Sequence, residues 1–345
     1  QLAGLARQTD LTDRWPAEQL RLCGEYGVFE WFVEPEWGGQ GWDAESVVRG
    51  YHQLSQACLT TTFVITQRSG ACRRIETTDN FALKQQLLPP LAEGSSFATV
   101  GISHLTTSRR HLTTPVLRAE EAPGGFVLDG YSPWVTGAAH ADHIVVGATM
   151  MHGSSASKEE LLVVLPTDLP GVKVPEPARL VGVTASATGQ VQCERVHVDE
   201  RWLLAGPIEN VMSQGSGAGT GGYQTSTLAL GLARAAIGYI RNEAQKRDGF
   251  AEPLEALEAD YERAYEQLLG VVRGEPDCSG DLLRQRANSI VLRATQAALV
   301  AAKGAGYIQG HPVGRWCREA LFFLVWSCPQ GVVSANLCEL AGIAE

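Results

Sequence analysis

Apolar and polar positions divide the chain into three stretches of different character. Residues 1–95 carry helical spacings. The segment PAEQLRLCGEYGVFEWF starts a helix at Pro16, whose fixed φ suits a first turn, and stops it near Gly27. DAESVVRGYHQLSQAC puts Asp43 at an N-cap, with Ser46 rather than a glutamate three residues on. NFALKQQLLPPLAEG is helical up to Pro89-Pro90, where the missing N–H donors predict a break.

Residues 96–206 alternate short β-branched and apolar runs with Gly, Pro and Asp turns: FATVGIS, GGFVLDGYSPWVTG, DHIVVGATM, ELLVVLP, GVKVPEP and GQVQCERVHVD. Short strands at this regular spacing predict an antiparallel barrel or sandwich. After the Gly/Ser-rich connector SQGSGAGTGGYQTS, residues 207–345 show long amphipathic patterns: STLALGLARAAIGYIRNEAQKR, PLEALEADYERAYEQLLGVVRG, DLLRQRANSIVLRATQAALVAAKGAG and a last segment near FFLVWSCPQGVVSANL. Such patterns with short connections predict a four-helix bundle. The expected fold is therefore α+β and multidomain: helical at 1–95, an antiparallel β-barrel at 96–206 and a four-helix bundle at 207–345.

Composition narrows the class. The formal charge of −10 without a Lys/Arg block argues against nucleic acid as a partner. No apolar run approaches the roughly 20 residues of a membrane span, and Gln1 opens an ordinary polar helix without a visible signal peptide, so a cytoplasmic protein is expected. None of the eight cysteines forms a CxxC pair, which favours reduced core thiols over disulfides or ligands. His104 and His111 have no carboxylate or cysteine at ligand spacing, so no metal site is expected. Gly215, Gly217, Gly219, Gly221 and Gly222 mimic a dinucleotide motif but lack the strand–helix–strand context, and read better as a hinge.

Six segments then carry a specific signal in order along the chain: VEPEWGGQGWD (Val33–Asp43), LPPLAEGSSFATVGIS, LDGYSPWVTGAAHADHIVVGA, VQCERVHVDERWLLAGP, RNEAQKRDGF and HPVGRWCREA. Together they resemble the acyl-CoA dehydrogenase family. The resemblance implies FAD between the middle domain and the bundle, an acyl thioester as the small-molecule substrate, and a homodimer or homotetramer in which each flavin touches a neighbour's bundle. Trp134 and Thr136, alternate residues of one strand, correspond to the indole beside the flavin and the hydroxyl near its N5. A flat polarisable ring gains from an aromatic neighbour, and its N5 edge takes a hydrogen bond. Ser103 stands where the family places a flavin-contacting threonine, and Ser108 where a serine meets the diphosphate, with Arg109 or Arg110 as other sources of charge. Arg247 and Phe250 keep an Arg-x-x-Phe whose arginine reaches the partner's FAD. Gly304 and Gly306 survive from a glycine loop on the adenosine side.

The resemblance lapses at the base. The family's last helix carries a glutamate that removes the α-proton while hydride passes from the β-carbon to flavin. Ungapped alignment puts Ser327 there; sliding to match the glycine puts Gln330 there. Neither removes a weakly acidic proton at neutral pH, and Cys328 has no cationic neighbour in the local sequence. Three readings follow: a dehydrogenase whose base lies elsewhere, with Glu319 and Glu339 to consider; a flavin-dependent monooxygenase of the same fold, which needs no such base; or a non-catalytic paralogue serving as subunit or binding partner.

Overall fold

The computed structural model describes residues 1–106, 114–213, 222–277 and 279–343. Ser108, Arg109, Arg110, His111, Gly215, Gly217, Gly219, Gly221 and Cys278 lie outside them.

The chain begins with five helices: α1 (Leu2–Thr12), α2 (Ala17–Glu25), α3 (Ala44–Ala57), α4 (Leu59–Glu76) and α5 (Phe81–Glu93). The cap expected at α3 is formed: the Ser46 backbone N–H donates to the Asp43 carboxylate at 2.9 Å. The break expected in α5 is absent, because the helix runs through Pro89 and Pro90 to Glu93. The prolines free the carbonyls of Gln85 and Gln86, residues on the solvent side, while Leu87, Leu88 and Leu91 are buried. Water meets the freed carbonyls and the core holds the opposite face, which offsets the roughly 3 kcal/mol cost of an interior proline. The loop between α2 and α3 folds tightly: a Cβ on Gly39 would meet the Val33 carbonyl oxygen at 1.8 Å, so only glycine fits there.

A single eight-stranded sheet follows: β1 (Ala98–Gly101), β2 (Leu117–Ala122), β3 (Gly125–Thr136), β4 (His143–His152), β5 (Ser155–Pro166), β6 (Val172–Lys173), β7 (Thr188–Asp199) and β8 (Leu203–Glu209), with the short helix α6 (Ser103–Thr106) after β1. Its order is β6-β7-β3-β2-β4-β5-β8, with β1 also on β4. The sheet is not the closed antiparallel barrel expected. β6 and β8 are free edges, and β1 and β2 each pair with β4 in parallel. Alternation in sequence specifies which face is buried but not the direction of the neighbouring strand.

The C-terminal part contains α7 (Tyr223–Ala244), α8 (Ala251–Arg273), α9 (Gly280–Ala302), α10 (Pro312–Leu321) and α11 (Gln330–Leu340). The fourth pattern is thus two helices. After α10 the apolar run forms a tight 3-10 turn at Phe322–Leu324, and the chain reverses at Ser327 (φ 48) before Pro329 caps α11. Pro329 restricts Cys328 to extended conformations, so the reversal falls on the residue before it.

Two apolar clusters hold these parts together. One joins the sheet to α5 and the second half of α4 through Ala71, Cys72 and Ile75. The other joins α2, α3, α7, α8, α9 and α10 to the first half of α4 through Phe63, Val64 and Ile65. Among the described residues no helix is long and apolar enough to cross a membrane.

Candidate functional site

A cavity of about 1030 Å³ opens where the sheet, α4, the start of α7 and the turn after α10 meet. Its walls bring Ser103, Trp134, Thr136 and Ser327 together from three separate segments. Gln330 is exposed at the first residue of α11 and is not on the wall. Arg247 and Phe250 lie away from the cavity, with the arginine over the Phe250 ring at 4.9 Å. Arg247 pairs with Glu243 and donates to the Ala301 carbonyl at the end of α9. The Lys303–Tyr307 turn that holds Gly304 and Gly306 follows directly. These four residues therefore form a second group, beside exposed Val300, Tyr307 and Ile308.

The sheet wall presents hydroxyls. β3 carries Trp134 within an irregularity in its pairing with β7 between Ser132 and Val135, and Thr136 just beyond it. Trp134 is 46% exposed, with its indole on the cavity, whereas Thr136 is 3% exposed. Thr136 Oγ1 lies 2.9 Å from Thr188 Oγ1, which lies 2.8 Å from Ser186 Oγ. If Ser186 donates to Thr188 and Thr188 to Thr136, the Thr136 proton is left for the cavity. Ser103 Oγ is buried on the same wall without a hydrogen-bond partner among the described residues. A buried orphan hydroxyl, a hydroxyl chain with a spare donor and a half-exposed indole suit a flat polar heterocycle, which is what an isoalloxazine is.

The opposite wall is the turn after α10. Phe322 and Trp326 stack at 5.0 Å, and Phe63 meets each edge-on at 4.8 Å. Behind them Arg284 of α9, 1% exposed, donates to the carbonyls of Phe323 at 3.1 Å and Trp326 at 2.8 Å. Its guanidinium also lies 3.7 Å from Cys328 Sγ. Cys328 therefore does have a cationic neighbour, supplied from 44 residues earlier in the chain and invisible in the local sequence.

Neither carboxylate considered as a base reaches the wall. Glu319 is buried among Thr60 and Arg315, with Thr60 Oγ1 at 3.4 Å and Arg315 Nε at 3.6 Å, and burial pushes its carboxyl up to about 7. Glu339 accepts from Ser289 on a different face. The carboxylates among the described wall residues are Glu34 and Glu76. Glu76 accepts the Glu34 backbone N–H at 2.9 Å, and burial raises its carboxyl. Sequence reasoning did not find this side of the cavity. Arg73 and Arg74 of α4, Thr188 and the stacked pair Trp31–Trp42 (4.3 Å apart) also line it. The one available signal was an Arg-Arg pair in an otherwise apolar and threonine-rich segment.

Family models for the acyl-CoA dehydrogenase N-terminal and middle domains match residues 1–95 and 106–196. The short-chain specific acyl-CoA dehydrogenase of Clostridium acetobutylicum is 25% identical, over 92% of this chain and 87% of that protein. Among solved structures, a glutaryl-coenzyme A dehydrogenase in complex with glutaryl-CoA superposes with a TM-score of 0.83 at 20% identity, covering 99% of this chain and 91% of that one. The prolyl acyl carrier protein oxidase AnaB superposes with a TM-score of 0.82 at 17% identity, covering 99% and 97%. The chain belongs to the acyl-CoA dehydrogenase family of flavoprotein oxidoreductases.

His104, next to Ser103, gives the fold a pH dependence. Its Nε2 lies 2.8 Å from the Gly147 carbonyl and so carries the proton, while Nδ1 is buried without a partner. Burial pushes the ring down to about 4 from an ordinary 6.5. The unfolded chain therefore binds the proton first, and stability present above pH 6.5 is lost as pH falls towards 4. The loss from this residue is about 3 kcal/mol at most. In denaturant titrations from pH 7 to 4, His104→Gln is expected to lose less stability than the parent. Parallel pH curves would remove the assignment.

Proposed function

We propose that the chain binds FAD in this cavity and oxidises an acyl thioester there. The carrying observation is the convergence of Ser103, Trp134 and Thr136 on one wall, with the Ser103 hydroxyl buried and unpartnered. Trp134 would cover the flavin ring, and Thr136, fed by Thr188 and Ser186, would donate to its N5 edge. When bound, FAD supplies a two-electron acceptor for hydride from the substrate. The aromatic cluster of Phe63, Phe322 and Trp326 would exclude water from the opposite side, which strengthens every polar contact inside.

Ser327 favours a second reading. A hydroxyl stands on the turn where the family resemblance calls for a carboxylate base, so chemistry without α-proton removal, oxygen-dependent oxidation by reduced flavin, suits this wall as well. A third reading, a non-catalytic subunit, requires that flavin be absent. For the assembly, we propose a homodimer or homotetramer in which Arg247, Phe250, Gly304 and Gly306 of one copy face the cofactor of another. The exposed Val300, Tyr307 and Ile308 beside them support that contact.

On titration with FAD, one equivalent is expected per chain, and Thr136→Val is expected to weaken uptake roughly tenfold through loss of the donor. No uptake at all would leave only the non-catalytic reading. In sedimentation, the flavin-loaded protein should run at two or four chain masses; a monomer would overturn the assembly. Anaerobic bleaching by an acyl-CoA panel separates the two enzymatic readings. If the chain is a desaturase slowed by a missing base, Ser327→Glu should speed bleaching by on the order of 10²–10⁴. Bleaching by neither form, with oxygen-dependent product once the flavin is reduced, would support the second reading.

A further inference from the structure

Three arginines lie on the cavity wall among the described residues: Arg73, Arg74 and Arg318. Arg318 is neutralised, because its guanidinium donates to both carboxylate oxygens of Asp10 at 2.6 and 2.8 Å. The other two are not. Arg73 is half-buried, and its guanidinium makes no hydrogen bond or ion pair with any described residue. Arg74 folds back on its own helix, donating from Nη1 to the Gly70 carbonyl at 2.8 Å, and its Nε is buried without a partner. Glu34 and Glu76 share the wall without an ion pair to them; Glu76 feels the Arg73 charge but bonds a backbone N–H.

Adjacent guanidinium groups in a half-buried wall are unfavourable without an anion. Burial and the neighbouring Arg73 push Arg74 down to about 10, which still leaves it fully charged at neutral pH. Both arginines lie in the last turn of α4, where positive charge complements the helix dipole, but that effect does not require their guanidinium groups to face the cavity. The same helix face adds Gln67 and Thr66, whose side chains bond to each other at 3.0 Å, and Gly70, where an absent side chain leaves room beside Arg74. The lobe is thus polar and cationic, in a cavity whose other walls carry hydroxyls and aromatic rings.

We infer that Arg73 and Arg74 form an oxyanion-recognition lobe of the substrate site. The substrate would carry an anionic oxygen group that docks on α4 while its reacting carbons lie against the sheet wall. Guanidinium groups match carboxylate and phosphate geometry through paired N–H donors. The oxyanion has two possible sources: a carboxylate at the far end of the acyl group, or a phosphate of the thioester's carrier. The inference rests on the reading of this cavity as a flavin and substrate site.

The test is calorimetric titration of the FAD-loaded protein, with tryptophan fluorescence as a second readout because Trp31, Trp42 and Trp134 line the same cavity. Succinyl-, glutaryl- and adipyl-CoA are compared with butyryl-, valeryl- and hexanoyl-CoA, and free CoA is run alongside. With a carboxylate as the source, the dicarboxylic thioesters bind roughly ten- to a hundredfold tighter than their length-matched partners, and Arg73→Gln abolishes that preference. With a phosphate as the source, Arg73→Gln weakens all the thioesters and free CoA alike. The Arg73 guanidinium makes no hydrogen bond or ion pair with a described residue, so the variant should fold; unchanged helical circular dichroism and melting temperature confirm it. Unaltered affinities for every probe in the variant would overturn the inference, as would a loss confined to FAD, which would assign the pair to the cofactor's phosphates. Failure of FAD uptake with a surviving dicarboxylate preference in the apo-protein would remove the flavin reading and leave the anion lobe standing.

Discussion

The structure depends on one helix, α4, gripped by two different parts of the fold. Its first half, with Phe63, Val64 and Ile65, packs into the helical cluster; its second half, with Ala71, Cys72 and Ile75, packs onto the sheet. Each of these side chains is worth about 1.5–3 kcal/mol when fully buried, except the smaller alanine and cysteine. Sheet and helices are therefore held in one relation by a shared element rather than by an interface between finished domains. The cavity lies along the strip of α4 that neither cluster covers, which is why Thr66, Gln67, Gly70, Arg73 and Arg74 form a wall.

The same logic accounts for the polar groups. Buried polar groups away from the cavity can be satisfied across the fold: Ser55 donates to the Leu228 carbonyl, and Thr78 to the Leu204 carbonyl. On the cavity wall some are not. Ser103 Oγ has no partner, Thr136 has capacity to spare, and the Arg74 Nε is bare. Unsatisfied buried groups cost about 1–3 kcal/mol each, so a fold retains them where something outside the chain completes them. Other unpartnered atoms, on Arg68, Arg284 and Glu319 among them, lie off the cavity, so Ser103 and Arg74 mark the site only together with the indole and hydroxyls beside them.

Motifs were legible where one residue type is dictated by backbone geometry. In VEPEWGGQGWD the glycines are fixed by a carbonyl at Gly39 and by left-handed backbone at Gly38 and Gly41. The strand bearing Trp134 and Thr136 was legible too, through alternation. The helix α4 was not. Its opening, LTTTFVIT, is β-branched and apolar without a helical period, because a helix buried on all sides has no polar face to create one. Arg284 was equally invisible: an arginine in an amphipathic helix reads as solvated, and only the folded chain brings it behind a turn 40 residues away. In α5, two prolines read as a stop because local propensity was weighed without the packing of Leu87, Leu88 and Leu91.

Arg284 also bears on what the turn after α10 can do. Its guanidinium contacts Trp326 and Cys328, the residues on either side of Ser327. A buried cation beside a turn favours negative charge there and holds down the proton affinity of any acid placed on it. A carboxylate at this turn would be ionised and ready to accept a proton, yet a weaker base than one in an apolar pocket. With Ser327 in its place, the cation is held by the carbonyls of Phe323 and Trp326 behind the wall and does not itself line the cavity. The carboxylates among the described wall residues stand across from this turn, on the α4 side, as Glu34 and Glu76.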